Sequence, residues 1–198
     1  MRRNPSKREV IWRNTEKGYG LVHIVLHWTV AAMIALMLPL GLWMTGLDYY
    51  DPWYKKGPDL HRSIGVLLGL IMLVRIAWRL GNLRPAPILP PGRERKLARA
   101  AHLLLYLLPL LLIVSGYLIS TADGRAVDVF GWLEVPATLQ GIEGQEDIAG
   151  EVHFILAMTL ITLIALHAGA ALRHHFILKD DTLRRMYKPQ SSPGNEET

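Results

Sequence analysis

Histidine is the residue type whose number and placement in this chain could do metal or redox chemistry. There are eight histidines and no cysteine. Without cysteine there is no disulfide, no iron–sulfur ligation, no thiolate-bound haem and no covalent c-type haem attachment. Redox chemistry then needs a cofactor held non-covalently, and imidazoles are the candidate ligands. His27, His61, His153 and His167 stand within long apolar blocks. A ligating side chain at membrane depth is costly, so it marks a functional site. His153 and His167 are 14 residues apart. At ~100° per residue this is ~40° short of four full turns, so both face one side of a helix. At ~1.5 Å per residue they lie ~21 Å apart along its axis, one near each membrane surface.

The elements that must position them are apolar spans. The chain has 198 residues, 51% of them hydrophobic, a bulk value that does not separate membrane from soluble proteins. The distribution does: apolar blocks run over about 21–46, 60–80, 97–121 and 148–176. Each reaches the ~20 residues that cross ~30 Å of hydrocarbon. The runs are continuous and not alternating, which argues for helices over barrel strands. The expected fold is all-α, a single membrane domain built as a four-helix bundle. The first span is too long for a signal-peptide core and is read as retained.

Charge gives the orientation. The net charge is +5, and the basic residues flank the spans, a pattern of membrane topology and not of nucleic-acid binding. Arg2, Arg3, Lys7, Arg8, Arg13 and Lys17 precede the first span. Arg84, Arg93, Arg95, Lys96 and Arg99 lie between the second and third, and Lys179, Arg184, Arg185 and Lys188 follow the fourth. The other two connections are poor in positive charge, and residues 122–147 hold only Arg125 against six acidic residues. Both termini are therefore expected in the cytoplasm, with residues 1–18 a basic tail and 189–198 a disordered one. Trp12, Tyr19 and Trp78 mark the inner boundary. Trp43, Tyr49, Tyr50, Trp53 and Tyr54 mark the outer one.

Antiparallel threading brings His27 and His167 to the inner side, and His61 and His153 to the outer. Each pair can supply both axial positions of one haem iron through neutral imidazoles. A flat macrocycle needs room, and small residues lie one turn from the histidines: Ala31, Ala35, Gly65, Gly69, Ala157, Ala170 and Ala171. Gly65-x-x-x-Gly69 serves equally well as a helix-packing motif. Arg75 and Arg79 share a face near the inner end of the second span, and Arg62 follows His61. They suit haem propionates or simple snorkelling to the interface. His23, His102, His174 and His175 are read as non-ligands. His23 has the i, i+4 spacing to His27 that could suit a metal. His102 could touch a propionate or a quinone. His174 and His175 suit a helix C-terminus.

Leu26-His27-Trp28, Leu60-His61, Val74-Arg75 with Arg79, the Pro-rich inner connection and Tyr106-Leu107-Leu108-Pro109 come in a characteristic order. They are followed by Leu166-His167-Ala168-Gly169-Ala170-Ala171-Leu172-Arg173-His174-His175 and Lys179-Asp180-Asp181-Thr182-Leu183. In order and spacing these resemble the bacterial cytochrome b561 family, from about residue 19 to 189. The resemblance implies two b-type haems ligated by His27, His61, His153 and His167, a bacterial inner-membrane location and exchange of electrons with ubiquinone. Some members oxidise superoxide at the outer side. The acidic stretch 133–147 departs from the family pattern and leaves the outer electron donor open, a small molecule or a protein.

Lys55, Lys56 and Arg62 could form a positive patch that steers superoxide to the outer haem, or be ordinary loop charge. Two other functions fit the same histidines. One is a cytochrome b anchor subunit of a hydrogenase or dehydrogenase complex. The other is a haem-free metal-ion transporter, against which stand the few acidic residues within the spans.

Overall fold

The structure is a computed structural model and describes residues 11–189. Residues 1–10, with Arg2, Arg3, Lys7 and Arg8, and 190–198 of the C-terminal tail lie outside the described residues. Four helices carry the chain: α1 (Leu21–Met44), α2 (Lys56–Leu80), α3 (Arg93–Thr121) and α4 (Gln145–Arg173). All four are long and apolar enough to cross a membrane, with the fourth continuing to Leu178. The fold is an all-helical membrane bundle.

The helices α2, α3 and α4 each start three to four residues before the apolar block begins. Their first turns are polar, as in Lys56-Gly57-Pro58-Asp59 and Arg93-Glu94-Arg95-Lys96. Such a turn can sit in the headgroup region while satisfying its backbone groups, so hydropathy underestimates where the helix starts. At its end α4 passes into a π-helical turn, His174–Leu178, closed by Lys179 in the left-handed conformation at φ 54°.

Packing follows chain order. α1 lies on α2, α2 on α3 and α3 on α4, while α1 and α4 make no comparable contact. Val30, Ile34, Leu68, Met72, Leu108 and Leu160 form the buried midsection, with Met72 and Leu160 fully enclosed. Most of the remaining apolar surface points outward. Only 6% of the most apolar window of the fourth helix is buried inside the protein. In water such a surface would be an aggregation site; in a bilayer it is matched by lipid tails.

The two ends of the bundle are built differently. On the face that bears the chain termini, the segment before α1, the α2–α3 connection and the segment after α4 are tied together. The Asn14 amide donates to the Leu83 carbonyl (3.0 Å), and Ala86 N–H donates to Glu16 O (2.9 Å). Arg185 donates to Ala86 O (2.8 Å), and the Trp28 indole to Met186 O (2.6 Å).

On the opposite face, the loop face, the α3–α4 connection forms a two-stranded antiparallel hairpin, β1 (Val127–Val129) and β2 (Leu133–Val135). In the sequence this stretch shows only its acidic character. Gly131 at φ 72° and Phe130 at φ 54° make the turn. Val127 and Val129 are buried against the bundle. Ser63 latches the hairpin to α2: its hydroxyl accepts from Phe130 N–H (3.1 Å) and lies 3.4 Å from the Asp128 carbonyl. The rest of the loop is clamped to α3. Tyr117 Oη accepts from Thr138 N–H (2.7 Å) and donates to Pro136 O (2.8 Å), and the Gln145 amide donates to Leu118 O and Leu139 O.

Candidate functional site: two histidine groups

At the loop face, α2 presents His61 and α4 presents His153. Their rings stand 6.2 Å apart between centroids, at 68°. An imidazole nitrogen binds a first-row metal at about 2 Å, and the ring centre lies about 1 Å further, so two rings on one metal stand about 6 Å apart. The observed spacing has room for one metal between the rings.

His153 has a hydroxyl neighbour suited to one of its tautomers. Ser115 on α3 is buried. Its hydroxyl lies 3.1 Å from Leu112 O, which can take the single hydroxyl proton. The hydroxyl oxygen then accepts from His153 Nδ1 at 3.0 Å. This leaves His153 Nε2 with a free lone pair, the form a metal-ligating histidine takes. His61 Nδ1 is buried without a hydrogen-bond partner. A buried unpartnered polar atom is costly and marks an unfilled requirement.

Clearance for these rings comes from two glycines that sequence reading did not single out. A Cβ on Gly41 of α1 would stand 3.1 Å from His61 Cε1. One on Gly116 of α3 would stand 3.3 Å from His153 Cε1. Both glycines lie on a different helix from the ring they clear, so spacing along one helix could not find them. Gly65 and Gly69, which spacing did find, face Met37 and Ile113 at 3.5–3.6 Å. Those are ordinary packing distances to the neighbouring helices.

The second group lies at the terminus-bearing face. His27 of α1 is within electrostatic reach of His23, His102 and His167. The nearest ring to His167 is that of His102, at 5.4 Å and 75°. His27 Nδ1 accepts from Arg75 Nη2 at 2.8 Å. The Arg75 and Arg79 guanidiniums each stand 4.9 Å from the Tyr106 ring. Arg75 Nε and Tyr106 Oη are buried and unpartnered. Of the two readings of these arginines, snorkelling does not describe Arg75, which turns inward to His27. Two cations and unused donors beside the histidines suit a ligand that carries carboxylates. The donor sets at both faces therefore fit a haem, provided Arg75 leaves His27 Nδ1 for a carboxylate when that ring ligates.

The remaining histidines separate from these groups. His23 is buried and stacks on Tyr19 at 4.2 Å. His174 Nδ1 meets Asp180 Oδ2 at 2.5 Å, and His175 packs edge-on to Phe176. Burial alone would raise the Asp180 carboxyl, but hydrogen bonds from Thr182 and His174 outweigh it and hold Asp180 down to about 2. Among the described residues, no three His, Cys, Asp or Glu side chains converge as a metal site. Arg62 forms an ion pair with Asp59 at the start of α2.

Residues 18–189 match the prokaryotic cytochrome b561 family. The chain is 48% identical over 180 residues to cytochrome b561 homolog 2 of Escherichia coli strain K12, covering 90% of this chain and 96% of that one. It is 33% identical to the probable superoxide oxidase CybB of Yersinia pestis, over 86% of this chain and 96% of that one. It is 31% identical to cytochrome b562 of Cereibacter sphaeroides, over 88% and 98%. With four membrane-crossing helices and relatives of this kind, it is a multi-pass protein of the bacterial inner membrane and an electron-transfer protein with b-type haem. The chain belongs to the prokaryotic cytochrome b561 family.

Proposed function

We propose that the chain relays electrons across the membrane through two bis-histidine haems, one on His61 and His153 and one on His27 and His167. Ubiquinone is the electron partner at the terminus-bearing face. A small reductant such as superoxide is the partner at the loop face. The positive-charge pattern supports termini in the cytoplasm and the loop face in the periplasm. The single observation that carries the reading is the outer pair: two rings 6.2 Å apart, one with its Nδ1 3.0 Å from the Ser115 hydroxyl.

Haem, when bound, supplies a one-electron iron couple whose chemistry is its own. The residues do the rest. His61 and His153 hold the outer group from α2 and α4, with Gly41 and Gly116 leaving the rings their positions. His27 and His167 hold the inner group from α1 and α4, where the bundle lacks close packing. Arg75, Arg79 and Tyr106 receive propionates at that end. The hairpin latched by Ser63 lies against α2 just past His61 and limits water there. Lys55 and Lys56 attract an anionic reductant, while Arg62 is paired with Asp59. The name of the Yersinia pestis relative supports that reductant, and the Lys55–Lys56 pair in an otherwise acidic loop is consistent with it.

The test is a pyridine haemochrome assay with visible spectra of the purified protein. Two b haems per chain, low-spin and six-coordinate, are expected. His61→Ala and His27→Ala should each lose one haem. Purified protein without haem from haem-sufficient cells would overturn the reading, and zinc in its place would favour metal transport. A stoichiometric peripheral subunit after mild-detergent purification would favour the anchor-subunit reading.

A further inference from the structure

The two histidine pairs have unlike surroundings, and the difference bears on which way an electron runs. We propose that Ser115, with Arg75 and Arg79, orders the two haem potentials, making the His61–His153 site the reducing one and the His27–His167 site the oxidising one. This rests on the dihaem reading above and adds to it the direction of transfer and the residues that set it.

Ser115 acts on the outer site. When His153 ligates through Nε2 its proton sits on Nδ1, and the Ser115 hydroxyl, 3.0 Å away and with Leu112 O at 3.1 Å to take its own proton, accepts it. A histidine that donates its second ring proton is a stronger electron donor to the metal on its other nitrogen. Stronger donation favours the ferric state and lowers the potential; second-shell hydrogen bonding of this kind is one of the protein's levers on haem iron. Among the described residues, no lysine or arginine makes a hydrogen bond or cation–ring contact with His61 or His153. Arg62, next in the chain to His61, is engaged by Asp59.

The inner site has the opposite character. Arg75 Nη2 lies 2.8 Å from His27 Nδ1. A His27 that ligates through Nε2 carries its proton on Nδ1, so the guanidinium then turns to a propionate and stays beside the ring as a fixed positive charge. Arg79 adds a second cation on the same Tyr106 ring. Oxidation of haem iron adds one positive charge, and neighbouring cations oppose it. They favour the ferrous state and raise the potential. Both surroundings thus push the same way. With a haem held at each pair, one electron would pass from the His61–His153 site to the His27–His167 site, oxidising the first and reducing the second, with no proton transferred between them.

The test is a redox titration of the purified holoprotein followed by its visible bands, after haem content has been measured. Two components are expected. His61→Ala should keep the higher one, and His27→Ala the lower one. Ser115→Ala should raise the lower component alone, by about tenfold in the ferrous-to-ferric ratio, which is 59 mV for a one-electron couple. Ser115→Thr, which keeps the hydroxyl, should restore it. Arg79→Gln should lower only the upper component. The inference is overturned if His61→Ala keeps the lower component. It is equally overturned if Ser115→Ala carries two haems at unchanged potentials. Should Ser115→Ala fail to assemble, the wild-type order read from the two histidine variants and the Arg79→Gln shift decide it. A native protein with no haem refutes the underlying function instead, so the two failures are distinct.

Discussion

Gly41→Ala tests the geometry of the outer pair with a single added methyl group. The new Cβ would stand 3.1 Å from His61 Cε1, 3.6 Å from Nδ1 and 4.0 Å from Nε2. Ordinary carbon contacts need about 3.5 Å or more, so the ring or the helix has to give by about 0.4 Å. A ligand site tolerates displacements of only about 0.5 Å. Overpacking of this kind costs about 1–3 kcal/mol. The helix preference for Ala over Gly acts with or without haem and cancels in binding. The cost of about 1–3 kcal/mol weakens haem binding at this one site by about fivefold to a hundredfold, at about 1.4 kcal/mol per tenfold. The assay is the haem-to-protein ratio during haem titration, with circular dichroism to confirm an intact bundle. Gly150→Ala is the control, since nothing lies within 4 Å of its added Cβ although it is three residues from His153. Gly41→Ala that loads both haems as tightly as the native chain would refute the clearance argument, as would an equal loss in Gly150→Ala.

His102→Ala should retain two low-spin haems, since its ring is read as a neighbour of His167 and not as a ligand; loss of one haem would make His102 the axial partner. Neutralising Lys55 and Lys56 together should slow superoxide-driven haem reduction, and the effect should fade at high salt; an unchanged stopped-flow rate at low salt would remove the steering role. Asp180 is depressed to about 2, so its contribution to holding the turn after α4 is complete above the ordinary carboxylate value near 4 and is lost as pH falls toward 2. Hydrogen exchange over residues 174–188 should therefore stay constant from pH 7 to 5, after correction for intrinsic rates, and quicken only below about 4; loosening already at pH 5–6 would assign the hold to another group.

The readable part of this molecule was what repeats along a helix. His153 and His167 share a face because 14 residues come close to four turns, and the apolar blocks had to be spans because the backbone needs internal hydrogen bonds in lipid. What lay between helices was not readable. Gly41 clears a ring 20 positions later in the chain, and Ser115 orients one 38 positions later, each across a packing interface that no single-helix period encodes. His102 was noted as a possible neighbour of a propionate or quinone; its place beside His167 depends on the register of α3 against α4. The hairpin escaped because its strands are three residues each, too short for an alternating pattern to stand out, and an acidic loop masked them. Arg75 illustrates a third limit. Sequence put it on the right face, but whether it turned to the interface or to His27 was a matter of rotamer and not of position.

On the proposed pairing, each histidine pair would join α4 to a much earlier helix, His167 to α1 and His153 to α2. During synthesis the last helix is the last to emerge, so for most of its assembly the chain holds only half-sites. A single imidazole holds haem weakly beside a pair, and an incomplete chain has no second axial ligand to offer at either face. The order of the segments along the polypeptide thereby acts as a timer: redox-active iron is captured only when the bundle is finished. A chain truncated before residue 153 would reach the membrane as three spans able to complete neither pair.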